Sequence, residues 1–453
     1  MSENTKRGWL ALACALTTVS AAGPVGAVDL VGVHDLALKN DPRLRAAEYR
    51  REAAGESKKQ AWANLLPDLS ATGTMTRGDS KTSISGIEVS DTDTDTESYS
   101  ITLRQSLYRQ ANYESLDIAR AQIDQAEAVY QLEFQDFLLR VADSYFTVLT
   151  LIDGVIFAEA EEKAFQRQFE QAEQRFEVGL TAVTDVHEAK ASYDNARARA
   201  IVSRNNLADA KEALRELTGQ YFEEYDVLQE TLPLVEPDPA DANGWVEMAL
   251  RSNPLVLSAL AGVDIADATM RLERSGHYPT LDLVASYQDF TNNEFLIRDD
   301  FQQPIGTTSL GVEDTQIQLV LSVPLYQGGR VSSRTRQSRY LLDATSEDLD
   351  ETQRAAVRLT RNAYRGVLAG IQQVQAFGQA VVSAESALQA TQAGFEVGTR
   401  TIVDVLIAEQ RYYQAQRDNS VARHAYIVDH LRLKNSAGLL SSEDLRVVNE
   451  LLD

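Results

Sequence analysis

The sequence predicts an α+β membrane protein built from one duplicated unit, in which a β-hairpin is carried on a very long helical hairpin. Three observations lead there. First, Phe176-Glu177-Val178-Gly179-Leu180-Thr181-Ala182-Val183-Thr184-Asp185-Val186 returns as Phe395-Glu396-Val397-Gly398-Thr399-Arg400-Thr401-Ile402-Val403-Asp404-Val405, and Leu66-Pro67-Asp68-Leu69 returns as Tyr278-Pro279-Thr280-Leu281. Second, four short stretches alternate apolar and polar residues. Third, two proline-free helical patterns, Asn112 to Val178 and Val331 to Val397, are too long for a compact domain. So long a period marks a doubled half-protein rather than a solenoid.

Taken in order, Lys6 and Arg7 precede an apolar run from Trp9 to about Val19, and Val25-Gly26-Ala27 supplies small residues for cleavage. Residues 1–27 therefore read as a secretory signal peptide. The only cysteine, Cys14, falls inside it, so the mature product is expected to hold no disulfide. After Ala27 no apolar run long enough for a transmembrane helix is expected. The rest divides into a first repeat (28–231), a linker rich in Pro233, Pro237 and Pro239 (232–243), a second repeat (244–440) and a C-terminal segment (441–453). With 67 acidic against 43 basic residues and a net charge of −24, the chain lacks the clustered cations that a nucleic-acid partner needs. The acidity suits an exported, soluble surface or the lining of a passage.

In each repeat a helix leads into strands. Leu69, Ala71, Gly73 and Met75 alternate with Ser70, Thr72, Thr74 and Thr76; Tyr99, Ile101, Leu103 and Leu107 alternate with Ser98, Ser100, Thr102, Arg104 and Ser106. The second copy has Leu281, Leu283, Ala285 and Tyr287, then Ile317, Leu319, Leu321 and Val323 against Gln316, Gln318 and Ser322. Period two with one polar face marks strands. Between them, Asp79 to Glu97 and Thr291 to Asp314 are polar and are expected to be exposed loops. Pro42 and Pro254 fall near helix starts, and Pro67 and Pro279 at helix-to-strand junctions, where a missing N–H costs least.

The long patterns follow. Leu138, Val141, Tyr145, Val148, Ile152 and Val155, and again Val374, Phe377, Val381, Ala384, Leu388, Thr391 and Phe395, step by three and four as a coiled-coil seam does. At ~1.5 Å per residue each rod would be about 100 Å long, against about 30 Å for the hydrocarbon of a bilayer. Each ends at Val-Gly, where glycine suits a left-handed helix cap, and a new helix begins at once. Thr401 and Asp404 have the spacing of a capping box. Strands with one apolar and one polar face fit a barrel between lipid and water, or a soluble sheet capping a helical bundle. Four strands cannot close a barrel, so the chain must oligomerise or add strands from elsewhere.

These residues, together with Ser203-Arg204-Asn205-Asn206-Leu207, Leu214 to Gly219, Asp282-Leu283 and Pro324-Leu325-Tyr326-Gln327-Gly328-Gly329, closely resemble the TolC family of outer-membrane channel proteins over essentially the whole mature chain. The resemblance implies a homotrimer: a twelve-stranded barrel in outer-membrane lipid, continued by a helical tunnel across the periplasm. It also implies a periplasmic adaptor and an inner-membrane transporter as partners, export of proteins, drugs or other small molecules, and no catalysis or cofactor. It assigns Asp404 to an acidic selectivity ring at the tunnel entrance, with Ile407 one turn on where the family has a second acid. Arg400 would latch the closed state to Thr184 and Asp185; Phe395 replaces a tyrosine that the family joins to the same acid. Val178, Gly179 and Leu180, and Val397, Gly398 and Thr399, match tips against which adaptors dock.

Other chemistry finds no support in the sequence. His34, His187, His277, His424 and His430 lack ligand spacing, and Ala191 stands where the His187-Glu188 start of a zinc motif would need its second histidine. No phosphate-binding or nucleophile motif is present. A soluble periplasmic coiled-coil adaptor or scaffold is the competing reading.

Overall fold

The computed structural model describes residues 27–84, 87–298 and 304–453. Residues 1–26, and with them Cys14 and nearly all of the expected signal peptide, lie outside the described residues. Helices α1 (Leu30–Asn40) and α2 (Pro42–Ala63) lead into strands β1 (Asp68–Ile84) and β2 (Ile87–Tyr108), then α3 (Gln110–Glu177) and α4 (Val183–Thr218). The second unit repeats the order: α5 (Ala242–Ser252), α6 (Pro254–Arg274), β3 (Thr280–Arg298), β4 (Pro304–Ser322), α7 (Arg330–Glu396) and α8 (Ile402–Ser436); α9 (Ser442–Asn449) follows. The duplication extends to the caps. Asp41 and Asn253 each accept a hydrogen bond from the amide two residues on, Arg43 N and Leu255 N, both at 2.8 Å, and Pro42 and Pro254 take the first helical position, where no amide is needed.

The four strands form one antiparallel sheet in the order β1-β2-β3-β4. Its register puts like with like. Leu69, Leu103, Ala285 and Ile317 align across the sheet, as do Ala71, Ile101, Tyr287 and Thr315. The alternate rows are polar: Ser70, Thr102, Ser286 and Gln316, then Thr72, Ser100, Gln288 and Asp314. Near the helices one face is thus apolar and exposed, with Leu69 67% and Ile317 76% accessible, while farther out the same face carries Asp289 and Glu313. The Tyr99 ring lies against Gly73, 3.5 Å from where a Cβ would stand. Both outer strands, β1 and β4, have a free edge within the chain, which a stable sheet of this length must pair or cover.

The expected loops are strand. Asp79 to Ile84 pairs with Ile87 to Asp93, and Phe295 to Arg298 pairs with Pro304 to Thr308. Serine, threonine and aspartate removed the apolar face that marks a half-buried strand, but the ladder needs only backbone amides and carbonyls, and threonine favours extended backbone.

Below the sheet, α3 and α7 run for 68 and 67 residues, about 100 Å each. Near the sheet α2 packs on α3, and α6 lies between α3 and α7; farther away α4 returns along α3 and α8 along α7. Midway, α1, α5, α9, the end of α8 and the irregular segment after α4 wrap the rods in a collar whose core includes Leu30, Phe137, Leu138, Val141, Tyr145, Trp245, Leu431 and Leu445. Tyr145 is wholly buried, with its hydroxyl 2.9 Å from Asp226 O and 3.1 Å from Val28 O. By length and composition α3 is apolar enough to cross a membrane, which corrects the expectation that no such stretch follows Ala27. Its apolar residues fill this collar instead of meeting lipid.

Candidate functional site at the helical tips

The two rods end alike. Val178 and Val397 cap α3 and α7, and Gly179 and Gly398 follow with φ of 73° and 80°, a region that costs other residues about 1 kcal/mol or more. Leu180 N donates to Arg175 O at 2.8 Å and Thr399 N to Gly394 O at 2.8 Å, so each turn closes as a Schellman motif. Val178, Leu180 and Val397 stand largely exposed at the ends.

Beyond the glycines the tips diverge. In the first, Thr181 Oγ1 donates to Asp185 in the first turn of α4, and Thr184 is exposed. In the second, a full capping box forms: Thr401 N and Oγ1 both donate to Asp404 Oδ2 at 2.9 Å, and Asp404 N donates to Thr401 Oγ1 at 3.2 Å. These bonds, from the Thr401 backbone first and then its hydroxyl, with a smaller contribution from Arg400, hold the Asp404 carboxyl below the usual carboxylate range. Asp404 therefore stays charged at neutral pH. Arg400 folds back over Gly394, where a side chain would collide with its Cγ at 2.8 Å. Among the described residues Arg400 makes no ion pair within the protomer, and Asp185 is engaged by Thr181. Ile407 lines a cleft of about 380 Å³ between α4 and α8, with Phe165, Glu188, Arg199 and Val403.

Three links between the hairpins went unread in the sequence. The Arg175 guanidinium carbon lies 4.5 Å from the centroid of the Phe395 ring, joining α3 to α7. Glu161, fully buried on α3, accepts from Arg199 of α4 at 2.8 Å and from Arg417 of α8 at 3.3 Å. Glu409 of α8, also buried, accepts from Gln168 of α3 at 3.3 Å and from Gln392 of α7 at 3.4 Å. Between these polar ties Phe165, Ala172, Ala189, Ala196, Ile402 and Leu406 form an apolar cluster with Phe395 packed on it. A signal for one of them existed: Ala158, Glu161, Phe165 and Ala172 continue the helical seam of α3, and a charge on a seam is either paired or costly.

A four-stranded share of a lipid-facing barrel, with paired rods of about 100 Å ending in closed hairpins, defines the class: the protomer of an outer-membrane channel-tunnel. The family model described as outer membrane efflux protein matches residues 33–220 and 245–439, one stretch in each repeat. The chain is 37% identical over 440 residues, 97% of each chain, to the outer membrane protein TolC of Vibrio cholerae. It is 30% identical over 438 residues, 93% of this chain and 87% of the other, to the alkaline protease secretion protein AprF of Pseudomonas aeruginosa. The crystal structure of the outer membrane protein VceC of Vibrio cholerae superposes with a TM-score of 0.73 at 20% identity, covering 90% of this chain and 96% of that one. The chain belongs to the outer membrane efflux protein family, and its place is the outer membrane with rods extending into the periplasm.

Proposed function

We propose that three copies of this chain close a twelve-stranded barrel and a continuous helical tunnel, an export duct that moves substrates from an inner-membrane transporter to the exterior. The open four-stranded sheet with two free edges and one exposed apolar face carries the reading. A periplasmic adaptor docks on the exposed tips, Val178, Gly179 and Leu180 with Val397, Gly398 and Thr399. The transporter supplies the energy, and this chain performs no catalysis. The mature protomer comprises two repeats, 28–231 and 244–440, joined by 232–243.

Three Asp404 carboxylates face one another at the entrance and favour cations, with Ile407 adding an apolar ring one turn on. Among the described residues Arg400 has no ion pair in its own protomer, and it reaches Thr184 and Asp185 at the other hairpin tip, in the neighbouring copy, to hold the entrance shut. Export of protein cargo suits one relative's name, an alkaline protease secretion protein, and efflux suits the family's description as outer membrane efflux protein.

Membrane fractionation with chemical crosslinking tests the assembly. The protein should require detergent for release and crosslink as a trimer. Release by a salt or carbonate wash would instead support the soluble scaffold.

A further inference from the structure

We propose that Glu409 is a proton-binding site that couples closure of the tips to pH, tying α8 to α3 through an acid–amide pair with Gln168 while it carries a proton. The proposal rests on the tips being the gate of a channel.

Glu409 is 5% exposed. Its Oε1 accepts from Gln168 Nε2 and Gln392 Nε2. Among the described residues its Oε2 is buried with no partner, and so is the Oε1 of Gln168. Two acceptors are thus stranded on two side chains that a hydrogen bond already joins. Neither a carboxylate nor an amide oxygen can donate. Leaving both unmet forfeits their hydration without return. One proton on Glu409 Oε2 resolves both, because the resulting O–H can donate to Gln168 Oε1 while Gln168 Nε2 donates to Glu409 Oε1. The two planar groups then form the cyclic pair of a carboxylic acid and a carboxamide. Both atoms are enclosed within one protomer, so a neighbouring copy cannot supply the missing donor.

The surroundings agree. Burial, the largest effect, raises the Glu409 pKa; the bonds from Gln168 and Gln392 and the charge of Arg167 oppose it, and Glu161 adds to the rise. From α3, then, Glu161 and Arg167 face the group. Glu161 is itself bound by Arg199 of α4 and Arg417 of α8. Tyr413 of α8 is a neutral phenol held neutral chiefly by burial, and α7 presents the uncharged Gln392.

Opening the tips separates α8 from α3 and admits water to Oε2, returning Glu409 to an ordinary carboxylate. The closed state then binds the proton more tightly than the open one. A group whose pKa is raised in one state stabilises that state at low pH, and the advantage fades as pH rises past the ordinary carboxylate value. Closure should weaken as the periplasm becomes less acidic.

Two readouts on the purified trimer test this. Infrared difference spectra should show a protonated carboxylic-acid carbonyl band persisting above the ordinary carboxylate range and lost in Glu409→Gln. In planar bilayers, at pH values where the collar histidines stay neutral, the open fraction of the native channel should rise with pH. Glu409→Gln, whose amide can donate to Gln168 Oε1, should remain closed with a flat profile. Gln168→Leu, which removes both the acid–amide acceptor and the amide donor, should shift the pH of the rise. Absence of the band, or an unchanged pH profile in both variants, would overturn the proposal. A complete lack of current would count against the channel reading, while the infrared band would still decide the state of Glu409.

Discussion

Arg175 lies over the face of Phe395, its guanidinium carbon 4.5 Å from the ring centroid, and so joins the last turn of α3 to the last turn of α7. In the duplicated sequence Arg175 corresponds to Gly394, beside Phe395. In one copy the position reaches across to the other hairpin; in the second it is vacated so that Arg400 can fold back. Symmetry is broken where the two hairpins must hold each other.

Removing that contact should loosen the entrance. A cation over an aromatic face contributes about 0.5–1 kcal/mol at exposed sites, so Arg175→Ala should raise the open fraction up to about fivefold. Phe395→Tyr keeps the ring and should change little. Single-channel recordings of the two variants, compared with the native protein, would decide this, and equal effects would show that the stacking is incidental.

Arg400→Ser should also raise conductance if Arg400 reaches a neighbouring copy. Combined with Arg175→Ala the effects should add, since one contact is within a protomer and the other between copies. Strong non-additivity would place both in a single network.

Asp404 should behave as a carboxylate over nearly the whole accessible pH range. Its pKa is depressed, so its contribution is complete above the ordinary carboxylate value and is lost only as pH falls through the lower, folded-state value. Block by multivalent cations should therefore survive mild acid in the native channel and be reduced in Asp404→Ala. Thr401→Ala removes the hydroxyl bonds and keeps the larger backbone one, so the pKa should rise part of the way and loss of block should begin at somewhat higher pH. An identical acid limit in native protein and Thr401→Ala would separate Asp404 from the blocking site.

The collar has its own pH limit. His424 is buried against Phe146, its Nδ1 lies 2.9 Å from Thr150 Oγ1, and burial lowers its pKa to about 4. The folded state resists protonation, so stability is complete above about 6.5 and declines as pH falls toward about 4. Thermal unfolding midpoints should drop over that window by an amount equivalent to at most about 3 kcal/mol. His424→Gln should flatten the decline, and an undiminished decline would assign it to other groups.

Glu161→Gln should destabilise the rods by about 2 kcal/mol, less than the ~3–5 kcal/mol of a wholly buried pair, because Arg199 and Arg417 are 40% and 29% exposed and can turn to water. Calorimetry of the purified assembly measures this. An unchanged midpoint would mean that the bridge contributes no net stability.

Where a residue pattern maps onto one solvent boundary, the sequence disclosed the structure. Leu69 and Leu103 against Ser70 and Thr102 showed a lipid face and a water face, and the Val-Gly pairs showed where the rods turn. The outer halves of the strands were hidden because Thr94, Asp95 and Thr96 offer no apolar side, and backbone pairing leaves no signature in side-chain type. The adjacency of β2 and β3, with Tyr99 opposite Asp289, was hidden because a whole helical hairpin separates them in sequence. At the tips, glycine and capping chemistry is local and was readable; the pairing of Arg175 with Phe395 or of Glu409 with Gln168 depends on how two rods align, which local spacing does not encode.

The central claim is that three copies form one water-filled passage gated at the helical tips. Planar-bilayer recording of the purified protein tests it most directly. The native protein should give small, cation-selective single-channel steps and Arg400→Ser larger ones. Purified trimers that pass no ions in either form would contradict it.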